Sequence, residues 1–253
     1  MGSPKRIPTN LRTLRILEIF GTSARPMTPT EINEELGLPK QTVHRLCTTL
    51  EEEGFLVREK NGRRLQPSPR LKSLASGILY NSRDQIAVRQ VLVQIAEKVN
   101  ETVNLVVPED DGMMYLERVE TDWPFRIQLP VGSHVPFHCT ASGKAFLASL
   151  SPAARKKFVG AMKLPQLTAN TFNDPEKFLE ELAAISKQGY AVDNEEFMEG
   201  MVAVAVPVHD SKSRYCASIA FHAPTQRLSI EAAIARKDYL LEGAEKLGSI
   251  FFD

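Results

Sequence analysis

The stretch Gly37–Leu56, GLPKQTVHRLCTTLEEEGFL, carries helix signals at both ends of one segment and divides its residues unequally between two faces. Pro39 suits the first turn of a helix, where a missing amide hydrogen costs nothing. From there Val43, Leu46 and Leu50, with Cys47 beside them, recur at helical intervals and form an apolar stripe. The opposite side carries Gln41, His44, Arg45 and Thr48, and Lys40 and Thr42 stand at the exposed amino-terminal end. These hydrogen-bonding side chains are long enough to reach base edges and phosphates, and they cluster at the helix end that enters the major groove in helix-turn-helix proteins. One face is expected to pack and the other to read DNA. The acidic trio Glu51, Glu52 and Glu53 falls at the far end, away from the groove.

The flanking segments complete the motif. Leu11, Leu14, Ile16, Leu17, Ile19 and Phe20 repeat helically after Asn10, expected as a cap, and Gly21 is expected to end that first helix. TPTEINEELG then opens with Thr28 as N-cap, Pro29 at the first helical position and Glu31 three residues on, the pattern of a capping box, and Gly37 closes it. Beyond the quoted helix, Phe55, Leu56 and Val57 read as a short strand, Asn61-Gly62 as a hairpin turn and Leu65 as the start of the return. Lys60, Arg63 and Arg64 crowd that hairpin. A basic wing of this kind supplies phosphate contacts, which set register without reading sequence. The expected DNA-binding set is therefore Lys40, Gln41, Thr42, His44, Arg45, Thr48, Lys60, Arg63 and Arg64.

Charge supports a polyanion partner for this part alone. The chain of 253 residues is neutral overall, yet up to Tyr80 it has 13 Lys/Arg against 8 Asp/Glu, and beyond it 18 against 23, which is +5 against −5. The longest apolar run, Met201 to Val208, falls well short of the roughly 18 residues of a membrane span. MGSPKR has no apolar export segment, and Arg6 stands where a myristoylation signal requires Ser or Thr, so a cytoplasmic protein is expected. Cys47, Cys139 and Cys216 are odd in number and at no metal-like spacing, as reduced thiols would be.

QPSPRL interrupts the pattern with Pro67 and Pro69, and helical periodicity resumes through Leu71 to Leu79 and again from Ile86 to Val99. A boundary is expected near Tyr80 to Arg83, giving domains over residues 1–82 and 83–253, with the intervening helices able to pair across the twofold axis that a reader of palindromic DNA needs. After Thr102 the pattern turns to strands: TVNLVV, MMYLERV, FRIQLP, YAVD, VAVAVPV and YCASIAFHA. Helices are expected near 139–150, 152–162 and 175–188, with one closing helix over 229–251. The fold class is α+β: an amino-terminal winged helix-turn-helix, a linker helix, and a carboxy-terminal antiparallel sheet with helices packed on it.

Three blocks, TPTEINEELGLPKQTVHRLCTTLEEEGFL, GSHVPFHCTASGKAFLA (132–148) and GYAVDNEEFMEGMVAVAVPVHD (189–210), in this order and separation, resemble the signature regions of the IclR-type bacterial transcription regulators. The resemblance covers nearly the whole chain. It implies a DNA-binding domain, a linker helix used in dimerisation, and a GAF-like domain that takes a small organic or aromatic acid as effector. The partners so implied are double-stranded operator DNA, that acid, and a second copy of the chain in a homodimer or a dimer of dimers, with repression the expected outcome. No cofactor, catalytic residue or resident metal is expected. The positions resembling the family's effector contacts are Ala141 and Ser142 by their backbone, Asp193, Ala203, Ala220 and His222. Cys139 or Thr140 would cap a helix whose first amides, near Ala141, Ser142 and Gly143, could hold a carboxylate without any lysine. Ala203 and Ala205 share one face of their strand, and Ser218, Ala220 and His222 one face of theirs, so small residues leave a hole. Family members often carry Cys or Ser where this chain has Ala203, Ala220 and His222. His222 either donates to the ligand's acid or is a core histidine satisfied by backbone.

Other functions fit less well. SGKA lacks the Gly and the Ser or Thr of a phosphate-binding loop, with His138 and Ala145 in their places. A thiol hydrolase using Cys139 and His138 would need a geometry that sequence neighbours rarely supply. A metal-responsive regulator would draw on His134, His138, Cys139, His209 and Asp210, but Pro136 keeps the first two histidines off a common helix face. A redox-responsive one would use Cys47 or Cys139. Glu195 and Glu196 are expected at a solvated turn.

Overall fold

The computed structural model describes residues 7–23, 25–59, 62–80, 84–124, 126–127 and 129–252. Contacts divide the chain into two compact units, Met1–Ile78 and Leu79–Asp253.

In the first unit, α1 (Arg12–Thr22), α2 (Pro29–Leu36) and α3 (Lys40–Glu52) precede the strands β1 (Leu56–Arg58) and β2 (Leu65–Pro67), and α4 (Pro69–Tyr80) follows. The N-cap position of α1 falls on Leu11 rather than on Asn10. The chain is already coiled in a 3-10 turn, Thr9–Leu11, with the Leu11 amide on the Pro8 carbonyl, and α1 runs past Gly21 to Thr22. At α2 the capping box forms: the Glu31 amide donates to Thr28 Oγ1 at 3.2 Å and the Thr28 amide to Glu31 Oε2 at 2.7 Å. Gly37 ends that helix at φ +63°, a left-handed conformation that a side chain would strain. Ile16, Ile19, Phe20, Ile32, Val43, Cys47, Leu50, Leu56 and Leu65 then make one core. Strands β1 and β2 pair antiparallel, with Leu56 opposite Pro67 and Arg58 opposite Leu65. Lys60 and Asn61, expected in the hairpin, lie outside the described residues.

The second unit begins with α5 (Asp84–Val99), β3 (Thr102–Pro108), β4 (Met113–Val119) and β5 (His134–Val135). Three helices follow, α6 (Ala141–Ser149), α7 (Pro152–Ala161) and α8 (Pro175–Gln188), then β6 (Ala191–Asn194), β7 (Met201–His209), β8 (Tyr215–Pro224), α9 (Ile230–Ile234) and α10 (Lys237–Phe252). The sheet order is β5-β4-β3-β8-β7-β6, and each neighbouring pair is antiparallel. Alternation along β7 builds both faces: Val202, Val204, Val206 and Val208 join the core with α5 and α10, while Ala203 and Ala205 face α6 and α8.

Two expectations fail here. The described residues of 125–130 form no strand, because the carbonyls of Ile127 and Leu129 accept hydrogen bonds from side chains instead of from a ladder; the edge is made by His134 and Val135. The closing helix is two helices, parted at Ala235 and Arg236, where tight three-residue bonds (Arg236 to Ala233, Tyr239 to Arg236) replace the helical ladder.

Candidate functional site

The first candidate surface is built on α3. Its stripe of Val43, Cys47 and Leu50 is buried, which turns Lys40, Gln41, His44, Arg45 and Thr48 outward and leaves Thr42 half-buried. His44 and Thr48 line an open cleft of about 400 Å³ together with Thr28, Pro29 and Thr30 at the start of α2 and with Arg58 and Arg63 of the wing. Helix start, helix face and wing thus converge on one groove, with the guanidinium-bearing residues Arg58 and Arg63 in its lining. Arg58 was not foreseen; its guanidinium is clamped by Glu51, with Nε at 3.0 Å and Nη2 at 2.5 Å. Arg64, expected as a phosphate contact, is turned onto the protein: Nη1 donates to the Pro26 carbonyl at 2.8 Å and Nη2 pairs with Glu31 at 3.2 Å. That ties the wing to the capping box. Hydrogen bonds from Thr28 and the Arg25 guanidinium lower the Glu31 carboxyl to about 2, so both ties persist at neutral pH.

The second candidate lies between α6 and the small-residue face of the sheet. Thr140 caps α6: its Oγ1 accepts from the Gly143 amide at 3.2 Å and donates to the Pro136 carbonyl at 2.7 Å. The Gly143 amide, expected to be open to a ligand, is therefore taken by the cap; helix geometry leaves those of Ala141 and Ser142 without an intrahelical carbonyl. A Cβ on Gly143 would stand 2.3 Å from the Phe137 carbonyl oxygen, so only glycine lets α6 approach this closely. At the other end, the buried Arg155 donates to the carbonyls of Leu147, Ala148 and Leu150 and fixes the helix's negative pole.

Beneath α6, register sets Asp193, Ala203 and His222 side by side on β6, β7 and β8, with Ala191, Ala205, Ala220, Asn104 and Arg118 in the next row. The sequence-derived positions are thus brought together. Asp193 is fully buried; Oδ1 accepts the amides of Glu196 (2.8 Å) and Phe197 (3.3 Å), whereas Oδ2, like Oε2 of Glu196, has no partner among the described residues. Burial, reinforced by Glu196, pushes its carboxyl up to about 7. Glu196 is not solvated as expected but buried, with Oε1 2.5 Å from Nζ of the wholly buried Lys144. Glu181 adds a second carboxylate 3.5 Å from that Nζ. Thr168 and Thr171 hold the carbonyls of Glu195 and Glu196, each at 2.6 Å, and so fix the turn that carries these acids.

Both ring nitrogens of His222 have partners within the protein. A carbonyl only accepts, so Nε2 carries the hydrogen that meets the Ile127 carbonyl at 3.3 Å, and Nδ1 accepts from Asn104 Nδ2 at 3.1 Å. Burial, then the charge of Arg118, lowers the imidazole to about 4, so the ring is neutral at pH 7 and keeps a single N–H donor, on Nε2.

The chemistry of the rival functions is not assembled. Burial raises the Cys139 thiol to about 12 and the Cys47 thiol to about 11, which removes the thiolate that a nucleophile or redox sensor needs. His138 Nε2 donates to the Pro165 carbonyl at 2.9 Å. His134 pairs with Glu109 and Asp210 with Arg214, and among the described residues no group of three or more His, Cys, Asp or Glu side chains could hold a metal ion. Nor is any helix of the described residues long and apolar enough to cross a membrane.

Comparison with known proteins gives both units a family. Residues 11–60 match the IclR helix-turn-helix domain and residues 82–248 the bacterial transcriptional regulator IclR C-terminal domain. The chain is 40% identical over 221 residues to the "Probable transcriptional regulator SauR" of Cupriavidus necator, covering 87% of this chain and 88% of that one. It is 29% identical to the transcriptional repressor IclR of Escherichia coli, over 86% and 80% of the two chains. The crystal structure of Thermotoga maritima IclR superposes with a TM-score of 0.63 at 28% identity, covering 95% of this chain and 97% of that one. The chain therefore belongs to the IclR family of bacterial transcription regulators: it is a DNA-binding regulator of transcription and not an enzyme.

Proposed function

We propose that the protein is a homodimeric repressor whose grip on its operator is altered by a small acid held between α6 and the β6-β7-β8 face. The observation that carries this reading is the unpartnered Oδ2 of fully buried Asp193, placed by register beside Ala203 under a helix start. A buried polar atom without a partner is costly and marks a place for a ligand group. The amides of Ala141 and Ser142, at the positive end of α6, supply a seat for a carboxylate. Repression is supported by the names of relatives, among them the E. coli repressor IclR and the acetate operon repressor of Salmonella typhimurium. On the DNA side, Gln41 and Thr42 read bases, with His44 and Thr48 along the groove wall, while Lys40, Arg45, Lys60, Arg63 and, more weakly, Arg64 meet phosphates.

An effector shifts operator occupancy only through its different affinity for the DNA-competent and incompetent forms, a coupling of about 1 to 3 kcal/mol in ordinary cases. The test is a thermal-shift screen of organic and aromatic acids on the full chain, followed by mobility shifts on DNA upstream of its own coding region. An acid that raises the melting temperature should change operator affinity by roughly 5- to 150-fold. Stabilisation without any change in DNA binding would overturn the regulatory reading, and a purified protein that ignores every fragment at low salt would overturn the role of α3.

A further inference from the structure

A cavity of about 450 Å³ opens beside the segment that leads into α6, and none of the residues assigned above to DNA or to the acid lines it. Phe137 and Phe158 stand edge to face in its wall, with ring centroids 5.4 Å apart at 85°, and Met162, Pro136 and Pro165 complete the apolar surface. Volume and lining are those of a site for one small organic molecule, and aromatic walls suit a flat ring.

One polar group of that lining is almost wholly buried. His138 is 2% exposed, and its Nε2 donates to the Pro165 carbonyl at 2.9 Å. The ring hydrogen is therefore on Nε2, and Nδ1 is a bare acceptor. Burial lowers the imidazole, which keeps Nδ1 unprotonated at neutral pH. Nδ1 has no partner among the described residues. Nor is it sealed, because the enclosed side-chain atoms without a partner are Asp193 Oδ2 and Glu196 Oε2. An acceptor neither partnered nor shut in opens on the space that its residue lines, and a molecule filling that space must bring a donor or leave it unmatched.

The charged residues of the lining set the ligand's charge. Asp110 and Asp111, between β3 and β4, outnumber Lys163, and a neutral imidazole does nothing to offset them, so an organic anion is disfavoured. We infer that this cavity is a second small-molecule site, separate from that of the acid, and that it takes a neutral aromatic alcohol of the phenol class. The ring packs on Phe137 and Phe158, and the hydroxyl donates to His138 Nδ1. An acid bound under α6 is not required for it. The occupant would nonetheless rest on the segment that seats α6, since the Pro136 carbonyl accepts from Thr140 Oγ1 at 2.7 Å and the Phe137 backbone lies against Gly143.

Calorimetry on the full-length protein compares donors with their methyl ethers: phenol with anisole, para-cresol with para-methylanisole, and naphthol with methoxynaphthalene. In the unaltered protein at least one alcohol should bind roughly tenfold or more tightly than its ether. In His138→Gln, which keeps a donor for the Pro165 carbonyl and removes the ring acceptor, that ratio should fall to about one. Ala161→Trp, at the exposed end of α7, puts an indole into the cavity and should weaken alcohol and ether alike by roughly tenfold. Should His138→Gln not fold, as judged by circular dichroism, the Ala161 variant carries the test. Equal affinity in every pair, a preference that survives His138→Gln, or alcohol binding that Ala161→Trp leaves unchanged overturns the site, as does absence of binding by all six probes. The acid-binding reading is untouched by each of these results.

Discussion

Asp193 concentrates the physics of the sheet face beneath α6. Its carboxyl rises from an ordinary value of 3.8 to about 7 because burial, and then Glu196, disfavour the charged form. Between those values the unfolded chain releases a proton that the folded chain keeps, so the group lowers stability as pH climbs from about 4 to about 7. Asp193→Asn keeps an oxygen for the amides of Glu196 and Phe197 and removes the titration. Urea unfolding should show the variant gaining on the parent by a few kcal/mol, on the order of 1.4 per unit of pH, across that window. Parallel pH profiles would mean that Asp193 is charged throughout. The acidic partners at this site were the part of the chain least legible in its sequence. Asn104 and His222 are 118 residues apart, and the pairing of Glu196 with Lys144 crosses 52, so no local pattern announces that these polar groups satisfy one another inside the protein.

Elements fared differently according to where their signals reside. The capping box at Thr28, the left-handed Gly37 and the apolar stripe of α3 are written within a few residues each, and all three form. The described residues of the strand expected over 125–130 form none, and the carbonyls of Ile127 and Leu129 are claimed by Arg118 and His222 from other strands. In α6, Gly143→Ala would ordinarily strengthen a helix by up to about 1 kcal/mol. Here the added carbon would collide with the Phe137 backbone, so the substitution should lower the melting temperature, and acid binding with it. For α3 and the wing, Gln41→Ala should change which operator is preferred, whereas Arg63→Ala should weaken all sequences alike and reduce the salt slope by about 1. Arg64→Ala should also cost thermal stability, since it breaks the ties to Pro26 and Glu31. Mobility shifts on operator and scrambled DNA across a salt series separate these three outcomes.

For the molecule as a whole, the excess of basic residues up to Tyr80 and of acidic ones beyond it sends the first portion toward a polyanion and keeps the remainder away. A chain neutral in sum therefore binds nucleic acid by distribution of charge. The three thiols offer a different kind of handle. Cys47 and Cys139 are sealed in the separate cores of the two units, whereas Cys216 is partly open. A thiol reagent added to the native protein should label Cys216 first, slowed because burial raises its thiol to about 11, and the other two only as fast as each compartment opens. The chain thus carries a pair of internal clocks, one per compartment, and mass spectrometry of the labelled peptides would time their breathing separately, with and without a bound acid.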